Sequence, residues 1–235
     1  MHFLFFSILT IASSLVSVVV FNHITRMSSA VPISSGDPSS YSNADAFILK
    51  HLSLSWTVDF DSKTITGSAE LTIESNPHRA ADVDVSRLIL DTRDLNVSSV
   101  KLKGGVATEL PFFLGTPHSA FGAALVIDLP EAVRSAEASF IVVIRYSTTP
   151  ACSALQWLEP RQTAGKKKPF LFSQCQAIHA RSLVPCQDTP AVKFTYDAKV
   201  TSPEDLVVLM SAVKNEVSCS RCARKFSKFI RYMYS

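Results

Sequence analysis

From Leu52 the apolar residues Leu52, Leu54, Trp56, Val58 and Phe60 alternate with Ser53, Ser55, Thr57 and Asp59. This two-residue period belongs to a strand with one face in a core and the other in water. Asp61-Ser62-Lys63 interrupts it. The period then resumes with Ile65, Gly67, Ala69, Leu71 and Ile73 on one side and Thr64, Thr66, Ser68, Glu70, Thr72 and Glu74 on the other. Two such runs around a short polar break predict a β-hairpin.

Shorter runs rich in branched or aromatic residues, bounded by Pro, Gly, Asp or Asn, follow at Val85–Leu90, Val97–Leu102, Ala123–Leu129, Ser139–Tyr146, Phe170–Ser173 and Val192–Val200. Each is read as a strand. Only Pro130–Ala138 and Pro203–Met210 carry a weak helical pattern. The expectation is a mainly β domain with a mixed or antiparallel sheet packed on itself, without the internal repeat of a propeller.

Residues Phe3 to Phe21 carry no charge, and the first strongly basic side chain is Arg26. The length suits a spanning helix, which needs about 20 apolar residues. It also fits a signal peptide with Ser28-Ser29-Ala30 as a cleavage region, although the basic start is limited to His2 and the amino terminus. Residues 1–27 are therefore read as a hydrophobic signal or anchor helix, with membrane association through residues 3–21. Met27 offers a third reading, in which the prefix is an optional extension. Translation from Met27 implies a cytoplasmic protein, and translation from Met1 an anchored or secretory one. Residues 28–45, rich in Ser, Pro, Asn and Asp, are read as a flexible linker.

The chain has 235 residues, of which 47% are apolar, enough for a sizeable core. A net charge of +3 with scattered basic residues makes no case for nucleic acid as a partner. Five cysteines, an odd number, do not resemble a secreted disulfide framework. The sequon Asn96-Val97-Ser98 is read as a strand or turn triplet, since it accepts a glycan only in the secretory pathway.

No chemistry-bearing motif stands out locally. No two of the six histidines (His2, His23, His51, His78, His118 and His179) lie within five residues of each other, so H-E-x-x-H is missing. Cys219 and Cys222 have C-x-x-C spacing but no second ligand pair. Neither G-x-S-x-G nor a phosphate-cradling glycine loop occurs. Lys166-Lys167-Lys168 reads as an exposed loop tip. The tail RCARKFSKFIRYMYS interleaves cations with aromatics, which suits an anionic surface or single-stranded nucleic acid; a truncated strand or frayed end reads it as well. In FSQCQAIHARSLVPCQDTP (172–190), Gln174 and Gln176 project from one side of an extended segment. Primary amides there can grip a peptide's backbone or amino terminus, or satisfy buried backbone groups.

The pieces SALQWL, QCQAIHAR and PCQDTP, in order within Ser153–Val200, closely resemble the N-terminal domain of the leukotriene A(4) hydrolase and zinc aminopeptidase family, the gluzincins that carry H-E-x-x-H. HLSLSWTVDFDSKTITGSAELTIES and LDTRDLNVSSV fit the same domain, and the likeness runs from about Leu49 to Ala212. It implies a saddle-like β domain over residues 46–212. It also implies that Gln174, Cys175, Gln176 and Ala177 bind the amino-terminal residue of a peptide substrate, with Gln176 and Ala177 as the main contacts. His179 and Asp188 would be structural. The family's zinc ligands, general-base glutamate, G-[AG]-M-E-N signature and transition-state tyrosine do not occur in these 235 residues, and residues 213–235 read as a divergent basic tail. The resemblance thus implies zinc in full-length relatives, none held by this chain, and a relative's catalytic domain as partner. The alternative is a noncatalytic module that binds peptide ends or other proteins, with residues 3–21 as its membrane tether where they are retained.

Overall fold

The predicted hairpin forms from β1 (Phe47–Asp59) and β2 (Thr64–Ser75), paired antiparallel from Phe47↔Ser75 to Asp59↔Thr64. A register shift between Leu49 and His51 explains why the alternation is legible only from Leu52. Phe47 and Leu49 face the core before it, Leu52, Leu54 and Trp56 after it, because the extra residue of a bulge moves the inward set by one position. Gly67 lies opposite Trp56, where an added Cβ would come within 1.9 Å of the Ser55 carbonyl oxygen, so no larger residue fits without moving the strands apart.

The computed structural model describes residues 31–104, 108–134, 139–203, 205–219 and 224–231. The expected hydrophobic helix lies outside them. After the hairpin come β3 (Arg87–Thr92), β4 (Asn96–Lys103), β5 (Thr108–Glu109), β6 (Phe112–Leu114) and β7 (Ala123–Asp128). Helix α1 (Glu131–Arg134) precedes β8 (Phe140–Ser147), β9 (Leu155–Leu158) and β10 (Phe170–Ser173), and β11 (Thr195–Pro203), β12 (Val213–Cys219) and β13 (Arg224–Arg231) complete the order. One sheet runs β12-β13-β11-β1-β2-β8-β4-β5, a second β3-β7-β6, and β9 and β10 form a separate ribbon. Among the described strands only the β1–β11 pair is parallel, so the class is mainly β with a mixed main sheet. Leu71, Ile73 and Ile144 of the main sheet join Leu88, Leu90, Leu125 and Ile127 of the second in one core. Inside it the Trp56 indole N–H donates to the Tyr146 hydroxyl at 2.7 Å.

Three segments depart from the sequence reading. The stretch taken as a linker is held in place from Ser34 onward. The Ser34 N–H donates to the Ser40 carbonyl, the Asp37 carboxylate accepts the Ser39 N–H and hydroxyl, and Ser40 and Ser42 are buried. Its low hydrophobicity conceals polar residues that bond inward. The described residues of Pro203–Met210 form no helix. Val208 and Met210 pack toward the core while Val207 and Leu209 are 71% and 82% exposed, an alternation that belongs to extended chain. The basic tail supplies β12 and β13, with β13 paired to β11 from Tyr196↔Arg231 to Pro203↔Arg224.

Two buried polar side chains fix the segment that follows β10. Gln187 accepts the Leu49 N–H and donates to the Phe47 carbonyl, both at 2.8 Å. Strand β11 begins pairing with β1 only at His51, and upstream of it the amide stands in for a neighbouring strand's peptide group. Arg181, 0% exposed, donates through Nε to Asp188 Oδ2 (3.0 Å), through Nη1 to the Ser39 and Phe121 carbonyls (2.8 and 2.9 Å) and through Nη2 to the Asp188 carbonyl (2.9 Å). Nη1 also lies 3.6 Å from the buried Asp91 carboxylate, which accepts from the Ser40 hydroxyl, the Tyr41 N–H and the Asp188 N–H. Gly122, at φ +75°, makes the turn that presents the Phe121 carbonyl, and a Cβ there would sit 2.1 Å from the Thr92 oxygen.

Gln187→Leu leaves a buried N–H and a buried carbonyl without partners and should cost about 2–4 kcal/mol in urea unfolding. Arg181→Met strips Asp91 of its countercharge and should cost about 3–5 kcal/mol, read as a lower urea midpoint or as loss of soluble protein. Unchanged midpoints would show that the two side chains carry no structural weight.

Candidate substrate-contact edge

Ribbon β9–β10 sets the direction of the glutamine-bearing segment. Its pairs run from Phe170↔Leu158 to Ser173↔Leu155, and the Gln174 N–H extends the ladder by donating to the Ala154 carbonyl at 2.8 Å. Phe170, Phe172 and Gln174 share one face through the strand period. The two rings, 53% and 43% exposed, lie 6.0 Å apart. The chain then turns. The Gln176 N–H donates to the Gln174 side-chain oxygen (3.1 Å), a cis peptide joins Gln176 to Ala177, and the His179 N–H returns to the Cys175 carbonyl (2.9 Å).

Of the four residues singled out in the sequence, Gln174, Gln176 and Ala177 are exposed and Cys175 packs inward against the core. The Gln174 oxygen is occupied within the turn, so its NH2 group and the Gln176 amide are the polar groups this edge presents. Burial raises the Cys175 thiol to about 11, with the negative charge of Asp188 adding to the effect. At neutral pH it is a protonated, core-packed side chain and a poor nucleophile.

A hydroxyl network holds the base of the turn. The Ser182 hydroxyl donates to the His179 carbonyl (2.9 Å) and accepts the Ala154 N–H (3.0 Å) and the Ser153 hydroxyl (3.1 Å). The Ser153 oxygen also lies 2.7 Å from His179 Nδ1. That contact ties the imidazole, through Ser153, to the base of the turn. His179 therefore pins the turn. Asp188, expected to form a turn, lies just before the one closed by the Val192 N–H on the Thr189 carbonyl, and its carboxylate takes the Arg181 N–H and Nε–H instead.

Sequence reasoning missed Arg181, Gln187 and Asp91. The available signal was a cation in the apolar run Ile178–Cys186 with a carboxylate seven residues on, a pattern that asks for a buried pair. Among the described residues no three of His, Cys, Asp and Glu gather as a ligand set for a metal ion; the His51–Asp197 contact at 2.8 Å is a pair only. No described helix is long and apolar enough to cross a membrane.

Residues 38–231 match the model of the Peptidase M1 N-terminal domain. Leukotriene A-4 hydrolase of Xenopus laevis is 47% identical over 179 residues, covering 76% of this chain and 28% of that protein. Leucine aminopeptidase 2 of Pyricularia oryzae is 42% identical over 180 residues, with coverage of 77% and 28%. The native leukotriene A4 hydrolase structure from Saccharomyces cerevisiae superposes with a TM-score of 0.71 at 34% identity, covering 83% of this chain and 28% of its own. The chain thus spans under a third of the length of these relatives. A match over most of the sequence, on a mainly β fold with few helices, shows that it belongs to the Peptidase M1 N-terminal domain family.

Proposed function

We propose that this chain is the substrate-shaping wall of a zinc aminopeptidase of the leukotriene A(4) hydrolase type. Its edge Gln174-Cys175-Gln176-Ala177 would contact the amino-terminal residue of a peptide. The reading is carried by one observation: the turn after β10 is braced from behind by Ser182, His179 and the Arg181–Asp188 pair, yet exposes Gln174, Gln176 and Ala177. A rigidly backed edge with an unengaged amide positions a ligand at little entropic cost. Cys175 is its anchor. Catalysis would reside in the catalytic domain of a full-length relative, where zinc supplies the Lewis acid, and no step through zinc follows from the residues described above.

The purified chain with added zinc should give no turnover of an aminoacyl fluorogenic substrate, and chelator-sensitive turnover would refute that. With residues 38–231 exchanged for the corresponding domain of the frog relative, aminopeptidase activity should persist. Gln176→Ala in that chimera should lower kcat/KM about tenfold, the equivalent of one or two lost hydrogen bonds. An unaffected kcat/KM would remove Gln176 from the contact.

The thiol offers a separate check on the anchor. With its raised value near 11, the thiolate fraction of Cys175 grows about tenfold per pH unit until that point is reached. Iodoacetamide labelling followed by peptide mapping at pH 8 should find Cys175 about two orders of magnitude slower than an unperturbed thiol. Labelling at the ordinary rate would mean that Cys175 faces solvent.

A further inference from the structure

The ribbon that carries the edge has a second unused feature. Strand β10 has β9 as its one strand neighbour among the described residues. The bond from the Gln174 N–H to the Ala154 carbonyl fixes the phase of the ladder. Counting back by twos, Phe172 and Phe170 turn their backbone groups toward β9, while Leu171 and Ser173 turn theirs away. An open strand edge is a template for another extended chain, and proteins usually block one with a charge, a proline or a bulge. Phe170-Leu171-Phe172-Ser173 contains none of these.

The loop Gln162–Pro169, part of the connection from β9 to β10, closes the end of the ribbon at the Phe170↔Leu158 pair. It encloses an open groove of about 610 Å³, with apolar walls that include Leu158, Ala164, Pro169 and Phe170. The rim is cationic. Lys168 is engaged by the Asp205 carbonyl at 2.6 Å, but Lys166 and Lys167 are exposed and have no acidic partner among the described residues. Glu159, the nearest acid in sequence, is held by Lys63 at 2.7 Å.

We propose that the free edge of β10 takes up an extended acidic peptide segment as a third strand. Its backbone would pair with Leu171 and Ser173, its apolar side chains would lie against the groove, and its carboxylates would face Lys166 and Lys167. Backbone pairing supplies affinity, and the alternating side chains supply selection. The site needs no free amino terminus, so it stands apart from the contact proposed for Gln176.

Fluorescence anisotropy of the full chain with a labelled, N-acetylated peptide of alternating glutamate and valine tests this. Binding is expected, weakening as salt rises. It should fall at least about tenfold in the Lys166→Glu/Lys167→Glu chain, where both attractions become repulsions. A peptide with lysine in place of glutamate should not bind. Nor should an acidic peptide N-methylated at alternate backbone amides, which keeps charge but cannot pair. The proposal is overturned if the acetylated acidic peptide fails to bind, if the methylated peptide binds equally, or if charge reversal has no effect. Binding confined to peptides with a free amine would also overturn it while favouring the Gln176 contact, and binding to phosphatidylserine vesicles in place of the peptide would reassign the lysines to a lipid surface.

Discussion

The ion-pair cluster around Arg181 is the constraint on which the rest of the molecule depends. A guanidinium sealed from solvent survives only if its donors and its charge are answered, since a buried unpaired ion costs several kcal/mol. Here Nε meets Asp188, Nη1 meets two carbonyls from distant parts of the chain, and Nη2 meets the Asp188 backbone. Those partners sit in the N-terminal segment at Ser39, in the turn at Phe121 and in the loop before β11. One side chain therefore ties three otherwise irregular segments to each other. Asp91 closes the cluster from β3. Burial pushes its carboxyl up from the usual range while the Arg181 charge and three hydrogen bonds pull it down. The two buried groups are thus mutually dependent, and neither could be replaced singly at small cost.

That cluster would let an irregular loop serve as the positioning surface proposed above. Loops carry ligand contacts well only when a rigid scaffold fixes them. The turn at Gln174–Ala177 is fixed by the β9–β10 ladder on one side and by Ser182 and His179 behind it. Arg181 and Gln187 then fasten the following residues to β3 and β1. Rigidity of this kind is what the substrate contact proposed above would require.

The longer strands were legible in the sequence, whereas most of the short strands, the tail strands and the irregular part were not, for a physical reason. Strands β1, β2 and β8 announce themselves because a half-buried strand must alternate, and Leu52 through Ile73 does so with a single break, while β7, buried from Ala123 to Ile127, reads as a short apolar run. Strand β9, Leu155–Leu158, is too short for a period to register, and β13 interleaves Lys and Arg with Phe and Ile in a way that reads as a basic tail. The segment before β1 looked like a linker because Ser40 and Ser42 are buried through hydrogen bonds, which leave no trace in hydropathy. The four-residue edge was placed by resemblance to a family rather than by its pattern. Its supports, Arg181 with Asp188 and Gln187 with β1, rest on contacts between residues up to 142 positions apart, which no local pattern encodes.

Gln187 makes the same point about the way the sheet itself is closed. A mixed sheet needs β11 beside β1 in parallel, yet β11 is registered only from His51 onward, and the bulge after Leu49 has already shifted the inward set of residues. Without a partner, the Phe47 carbonyl and the Leu49 N–H would be buried and unsatisfied just where the N-terminal segment enters the core. The amide of Gln187 has the donor and acceptor geometry of a peptide bond and fills that place at 2.8 Å on both sides. In the stretch VPCQDTP, two consecutive polar residues therefore serve two different elements: Gln187 completes the edge of β1, and Asp188 neutralises the arginine behind the turn. The sheet and the candidate contact edge are consequently fastened by adjacent residues of one loop, so a perturbation of that loop reaches both at once.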